Sequence, residues 1–442
     1  MHELGRKGMI QMVRHVFLEQ LFLVTIVTFN GIMVSHAGVD ALSGVSVVDQ
    51  VHLFLSFLFF CSSYSVVVLV AQAIGADKRH EVPGIARQAY LMGFALAAAC
   101  MLAAIFLGGP ICSLLLGKAE RAILDNGLLY LRVYALSYPF TAFYSVSINI
   151  LRGRGNTRAP MIISISMNIV HITVNALLIF VFNLGVAGAA LSVVIARAFA
   201  SLLCGALIRR AGMFTRYREF FTFKPIGRHI RQLTLMGLPP MLEGLLFQIG
   251  RIVINLIIVS AGTVHIAANA IFLNCADMVA CGGLVAYTLS IPMMGWAKGL
   301  GDRPLMKKTM RNVLLMGHGF LVLTSLALLP LILWVAGLYN VDPEALRIGR
   351  LSILAYGFAS VLFYPSCFII PGALRGAGDA RVPAALSVAV AFAVRIPATY
   401  VFCLMLQMGA FGAVLAMFAD WLFRSAGCII RMARGKWLPP AA

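Results

Sequence analysis

Charged residues are scarce in this sequence. Acidic and basic side chains make up 12% of the 442 residues, whereas 61% are hydrophobic; soluble domains carry about 25% charged residues. The apolar residues form long runs, such as 91–109 and 312–337, which approach or exceed the ~20 residues that a helix needs to cross a bilayer. No run alternates apolar and polar residues as barrel strands do. The composition therefore predicts an all-α polytopic membrane protein.

The apolar runs predict twelve transmembrane helices. They lie at approximately 15–37, 43–74, 88–109, 124–150, 160–182, 186–208, 236–260, 264–297, 312–337, 348–373, 384–406 and 410–430.

The distribution of basic residues predicts the topology. The connections between segments are assigned alternately to the two sides of the membrane. Most of the 35 Lys and Arg residues then fall on the side that carries both termini. The opposite side receives Lys118, Arg121, Arg347 and Arg350. This bias places both termini in the cytoplasm of a multi-pass protein, for which we predict the bacterial cytoplasmic (inner) membrane. The net charge of +19 thus reflects topology, and we expect no nucleic-acid partner.

Motifs for metal binding and catalysis are missing. The nine cysteines occur singly, without a C-x-x-C pair or a His/Cys cluster, so we expect no metal site and no disulfide framework. The sequence has no H-E-x-x-H, no G-x-S-x-G and no Asp-rich pair for prenyl diphosphate. We therefore predict that the protein is not an enzyme and needs no cofactor.

The two halves of the chain repeat each other. The string LRGRGNTRAP at 151–160 returns as LRGAGDARVP at 374–383, about half a chain later. Similarly, 185–194 resembles 409–418 at nearly the same offset. Several matches at nearly one offset indicate a duplicated six-helix unit.

The duplication predicts the domain organisation. We expect an N-terminal lobe at 1–208, a basic cytoplasmic linker at 209–235 and a C-terminal lobe at 236–442. Because six crossings is an even number, both copies begin on the same side, and the lobes form a parallel, pseudo-symmetric repeat around a central cleft. This architecture is typical of transporters that work by alternating access, and neither a channel nor a receptor requires it. We expect a monomer in the lipid bilayer.

These motifs resemble the multidrug and toxic compound extrusion (MATE) family. Its L-R-G-x-G-D/N-T/A-x-x-P signature follows the fourth and tenth helices, as 151–160 and 374–383 do here. The starts of the two halves, 19–50 and 237–270, are similar to a bacterial branch of the family, and Arg395-Ile396-Pro397 fits its eleventh helix. The resemblance implies an efflux transporter of small organic, cationic or amphipathic substrates, driven by a proton or sodium as the coupling ion.

The sequence departs from the family at two positions of the first lobe. Family members that couple to cations commonly carry an aspartate in helix 1 and another in helix 5, and these positions hold Asn30 and Asn175 here. Asparagine cannot take up and release a proton near neutral pH, although it can still bind sodium or a substrate. The first-lobe proton switch of the family therefore cannot be assumed.

Three acidic residues are candidates for ion coupling. A carboxylate inside a bilayer costs free energy, so its presence there points to a function. Glu19 and Glu243 are related by the offset of the repeat and occupy the same position in the first helix of each half. They are predicted proton carriers or anchors for cationic substrates, or else structural hydrogen-bonding groups at helix ends. Asp277 lies well inside segment 8 and is either a deep titrating carboxylate or a structural partner of Arg251 or another buried arginine.

Further polar residues share helix faces. Gln248, Arg251 and Asn255 lie on one face of segment 7 and are substrate-binding candidates. His171 lies one turn before Asn175 on segment 5, so its imidazole is either a replacement for the missing aspartate or a structural group.

Several local features are predicted to be architectural. In the two loops of the signature, arginines hold the loop on the cytoplasmic side, while Asn156 and Asp379 cap the next helix. Pro239 and Pro240 are expected in the first turn of segment 7. Asp420 and Arg424 are spaced as a local ion pair in segment 12.

One alternative function stays open. A flippase for lipid-linked saccharides from the same broad superfamily would line its cleft with basic groups, and Arg132, Arg197 and Arg251 are compatible with this. Twelve segments argue against it, because flippases often have additional helices.

Overall fold

The computed structural model describes residues 10–23, 39–116, 121–210, 226–337, 339 and 341–439. Helices dominate these ranges, which contain no strand. The long helices are α1 (10–23), α2 (Val39–Gly75), α3 (Val82–Phe106), α4 in two pieces (Arg121–Ala135 and Tyr138–Gly153), α5 (Arg158–Val181), α6 (Gly185–Arg210), α7 (Gly227–Ser260), α8 (Thr263–Leu300), α9 (Arg303–Ala336), α10 (Pro343–Gly376), α11 (Arg381–Met405) and α12 (Gly409–Ala433). A 3₁₀ turn, Arg79–Glu81, and a short helix, Gly108–Leu116, flank α3.

Ten spans in the described ranges are long and apolar enough to cross a membrane. The two other predicted segments have visible reasons to be missing from that set. Of the first segment, predicted at 15–37, only 15–23 is described, and α4 is interrupted after Ala135. Pro139 has no N–H to donate to the carbonyl of Ala135 and lies in the first turn of the second piece, a position where proline is well tolerated.

The described chain divides into two compact units. The first comprises Met1–Ile74 and Lys78–Met241, and the second comprises Gly75–Asp77 and Leu242–Ala442. Helices α1 to α6 belong to the first unit except for the last residue of α2, and α8 to α12 belong to the second. Helix α7 contributes to both.

The predicted linker at 209–235 is shortened from both ends. Arg209 and Arg210 complete α6, and α7 begins at Gly227. Residues 211–225 lie outside the described ranges. The early start of α7 has a packing reason, because Leu233 is fully buried in an apolar cluster of the first unit, with Met236 packed against it.

The expectation for Pro239 and Pro240 was therefore wrong. Both prolines lie inside α7 rather than in its first turn. The added turns before them bury apolar side chains, which offsets the hydrogen bonds that two prolines cannot donate.

Each unit has its own apolar interior. In the first, Val66, Val70 and Tyr90 pack with Val146 and Ile150. In the second, a cluster between α8, α9, α10 and α12 contains buried apolar side chains, namely Ala286, Met294, Met306, Met310, Val313, Ile369, Ala373, Leu374 and Cys428. Large apolar side chains also remain exposed, including Leu202 and Phe358, at 76% and 73%. Such exposure matches lipid-facing surface, where hydrocarbon replaces water as the solvent.

Candidate functional site

A buried ion pair joins α1 to α4 in the first unit. Glu19 is 2% exposed, and its Oε1 accepts hydrogen bonds from Arg152 Nη2 and Ser164 Oγ, each at 2.8 Å. Ser164 also shares a hydrogen bond of 2.9 Å with the hydroxyl of Tyr144. The carboxylate thus has one charged donor and one neutral donor, and charge-assisted hydrogen bonds of this type are the strong ones.

A second ion pair joins α7 to α10 in the second unit. Arg375 Nη2 donates to Glu243 Oε2, and Arg375 Nη1 donates to the hydroxyl of Tyr287 at 3.4 Å. The Glu243 side chain is 13% exposed, so this carboxylate is more accessible than Glu19.

The two ion pairs occupy equivalent positions in the repeat. The step from Glu19 to Glu243 matches, to within one position, the step from Arg152 to Arg375, the second residues of the two L-R-G strings. The sequence pattern pairs the glutamates, whereas both arginines are predicted to serve topology alone. The offset that the arginines share with the glutamates is the signal in the sequence that connects the two pairs.

The glycine after each arginine lets two helices approach closely. A Cβ added to Gly153 would lie 3.0 Å from the carbonyl oxygen of Val67, and one added to Gly376 would lie 2.4 Å from that of Ile291. Val67 and Ile291 are themselves related by the same offset as the glutamates. The close contact of α4 with α2 in the first unit is therefore repeated by the contact of α10 with α8 in the second. In each unit this contact positions the arginine that precedes the glycine.

The second glycine of each signature ends its helix. Gly155 and Gly378 have φ values of +79° and +96°, which glycine adopts without strain. The following N–H groups, of Asn156 and Asp379, donate to the carbonyls of Leu151 and Leu374 at 3.0 and 2.9 Å. This is the Schellman arrangement of helix ends.

The capping prediction holds in only one copy. Asn156 Oδ1 accepts a hydrogen bond from the N–H of Ala159 at 3.0 Å, as predicted. The prediction for Asp379 was wrong, because among the described residues its carboxylate accepts no hydrogen bond from the first N–H groups of the helix that begins at Arg381. Asp379 Oδ2 instead accepts from Arg431 Nε of α12 at 2.7 Å, and a carboxylate gains more from a guanidinium than from a neutral N–H.

The helix 5 candidates lie beside α6. Asn175 is buried, and Ser192 Oγ donates to its Oδ1 at 3.4 Å. His171 is half-buried one turn earlier, within electrostatic range of Arg197. The guanidinium of Arg197 lies over the Tyr144 ring, 5.3 Å from its centroid. Arg197, Tyr144 and Ser164 therefore connect this region to Glu19.

The polar face of α7 is only partly accessible. Arg251 Nη1 donates to Gln248 Oε1 at 3.2 Å; Gln248 is buried, whereas Arg251 and Asn255 are exposed. Two other candidates cannot be placed. Asn30 lies outside the described residues, and Asp277 belongs to α8 with its side chain outside what the structure describes.

Asp420 and Arg424 form the ion pair predicted for α12. Both side chains are buried, so this pair is a feature of the interior of the second unit and not of a helix surface.

The repeated geometry agrees with comparisons to known proteins. The sequence profile of the family described as MatE matches residues 16–177 and 239–401, one match in each half. The chain belongs to the MatE family. It is therefore a multi-pass membrane transporter, as the resemblance predicted.

Individual relatives match along nearly the full length. A protein of Thermotoga maritima named "Probable multidrug resistance protein NorM" is 26% identical over 95% of this chain and 89% of its own. Among solved structures, a variant of the Vibrio cholerae MATE transporter VcmN has a TM-score of 0.87 at 18% identity, over 98% of both chains. A MOP superfamily transporter from Pyrococcus furiosus has a TM-score of 0.86 at 16% identity, over 98% of this chain and 97% of that chain. These structures support the all-α fold.

Proposed function

We propose that this MatE-family chain is a secondary active exporter of amphipathic organic compounds. It works by alternating access of its two units, coupled to the inward movement of protons or sodium ions. Membership of the family and the name of the Thermotoga maritima relative support drug efflux. The repeated Glu–Arg pair, present once in each unit, is the observation that carries the coupling proposal.

The two pairs differ in how firmly the carboxylate is held. Glu19 receives two hydrogen bonds and is almost fully buried. Glu243 has Arg375 as its described partner and is more accessible. When a proton or sodium ion neutralises Glu243, Arg375 still keeps its bond to Tyr287. We therefore propose Glu243 as the coupling carboxylate and Glu19 as a structural one.

Dye export from everted membrane vesicles tests the proposal. We expect ethidium to accumulate in vesicles that contain the protein when a pH gradient or a sodium gradient is imposed, and the gradient that works identifies the coupling ion. No response to either gradient, together with movement of a fluorescent lipid across the bilayer, would instead support the flippase.

Variants in proteoliposomes test the assignment of the carboxylate. We expect Glu243→Gln and Asp277→Asn to reduce substrate-dependent proton or sodium uptake. Fully coupled transport by both variants would reject these residues as coupling groups.

A further inference from the structure

An arginine-rich cluster lies inside the second unit, within electrostatic range of Glu243 of the Glu243–Arg375 pair. Asp420 and Arg424 of α12 form its buried ion pair. The guanidinium of Arg424 lies over two phenylalanine rings, 4.9 Å from the centroid of Phe247 on α7 and 5.5 Å from that of Phe368 on α10. Three helices therefore surround this cation, with aromatic faces on two sides.

Arg395 of α11 adds a second positive charge. Its guanidinium interacts electrostatically with Asp420, Arg424 and Arg251. Its Nε is buried and has no hydrogen-bond partner within the described residues. Arg395 closes a π-helical turn, Ala391–Arg395, and such turns are frequent at functional sites.

Arg251 of α7 extends the cluster to the surface of the unit. Its side chain is exposed, and its described hydrogen bond goes to the neutral Gln248. A guanidinium on a membrane-spanning helix is costly against lipid, and such side chains almost always face the interior of the bundle or a water-filled cavity. The three arginines lead from this exposed face to the buried Asp420.

The charges of the region do not balance among the described side chains. Four arginines, counting Arg375, are accompanied by two carboxylates, Asp420 and Glu243. Each carboxylate is already engaged by its own arginine. Arg395 therefore shares Asp420 with Arg424, and Arg251 is left without an acidic partner within the described part of the chain. Positive charge thus exceeds negative charge in a region where uncompensated buried charge is expensive.

We propose that Arg251, Arg395 and Arg424 form a binding site for the anionic group, a carboxylate or phosphate, of an amphipathic substrate. Guanidinium groups suit this role because their fixed donors match the oxygens of such anions. Phe247 and Phe368 supply apolar surface beside the charge. The inference rests on the proposed export function and deepens it, because it names amphipathic anions as a class of substrate that this site takes in addition to cationic dyes such as ethidium.

A matched pair of fluorescent probes tests the site by binding alone. The full chain in detergent micelles is titrated with dansylglycine and with its neutral amide, and protein-free micelles are subtracted. We expect the carboxylate to bind about tenfold more tightly than the amide, which corresponds to hydrogen bonds with a charged group. Equal affinities would overturn the proposal.

Substitutions then assign the binding to the cluster. We expect Arg395→Gln and Arg251→Gln to bring dansylglycine down to the affinity of the amide, with Arg395→Lys in between. Arg434→Gln is the control, because Arg434 is an exposed arginine of the second unit outside the cluster, and we expect it to leave the affinity for dansylglycine unchanged. Unchanged affinity in the Arg395 and Arg251 variants would reject the assignment.

Two further measurements distinguish the anion site from a structural ion pair with Asp277 and from a site for a lipid-linked diphosphate. If Asp277→Asn restores thermal stability and dansylglycine affinity to Arg395→Gln, Asp277 is the counter-charge and the proposal fails. If undecaprenyl diphosphate binds while dansylglycine does not, the arginines serve a lipid-linked diphosphate instead, which also overturns the proposal. Because ethidium export is measured separately, failure of the anion site and failure of the export function remain distinguishable.

Discussion

Arg152 holds Glu19 in the first unit, and the same pair recurs as Arg375 with Glu243 in the second. The duplicated L-R-G signature thus has a physical role in each copy. Its arginine fixes a carboxylate of the first helix, its first glycine allows close helix contact, and its second glycine ends the helix. The signature therefore does more than form a loop, because it positions the buried ion pair of each unit.

Breaking the second ion pair should destabilise the protein unless both partners are removed. Arg375→Gln leaves Glu243 without its cation, and loss of one partner from a buried pair costs about 3–5 kcal/mol. We expect the double variant Arg375→Gln/Glu243→Gln to recover a large part of this loss, measured as the midpoint of thermal unfolding in detergent. A double variant as unstable as the sum of the single variants would contradict the coupling of these residues.

The two glutamates should respond differently to neutralisation. Glu19→Gln keeps an oxygen that can accept from Arg152 and Ser164, so we expect substrate-dependent ion uptake to change less than twofold. The test compares uptake by Glu19→Gln and Glu243→Gln in matched proteoliposomes. Stronger loss of uptake in the Glu19 variant would reverse the proposed roles.

A methyl group at Gly376 should separate α10 from α8. The added Cβ would lie 2.4 Å from the Ile291 carbonyl oxygen, and overpacking of this kind costs about 1–3 kcal/mol. Gly319→Ala is the matched control, because nothing lies within 4 Å of its added Cβ and alanine favours helix. We expect a lower unfolding temperature for Gly376→Ala and no loss for the control.

The two signature loops should respond differently to substitution of Asn156 and of Asp379. Asn156→Ala removes a helix cap and should cost about 1 kcal/mol. Asp379→Asn should instead behave like Arg431→Gln, because each removes one member of the same ion pair. A double-mutant cycle on Asp379 and Arg431 checks this, and strictly additive effects on the unfolding temperature would argue against the pair.

The topology can be read by cysteine labelling. With both termini in the cytoplasm, Glu344→Cys in the first turn of α10 should react with an impermeant maleimide in intact cells. Lys436→Cys should react only after permeabilisation. Both positions are exposed, so the reverse pattern would place the termini outside.

Periodicity, hydropathy and the repeat were sufficient to predict the all-α membrane fold, because a bilayer leaves helices as the structure for long apolar runs. The same information located Glu19 and Glu243, because equivalent residues of a duplicated chain are separated by a constant number of positions. The helix cap at Asn156 and the ion pair of Asp420 with Arg424 followed from short-range spacing.

Longer-range relationships were decided by the tertiary structure. The early start of α7 depends on a buried Leu233, the partner of Asp379 comes from α12, and the partners of both glutamates come from α4 and α10. Local spacing cannot determine such contacts, because they depend on which helices pack together. The sequence thus established where the charges occur along the chain, and packing decided which arginines pair with a carboxylate.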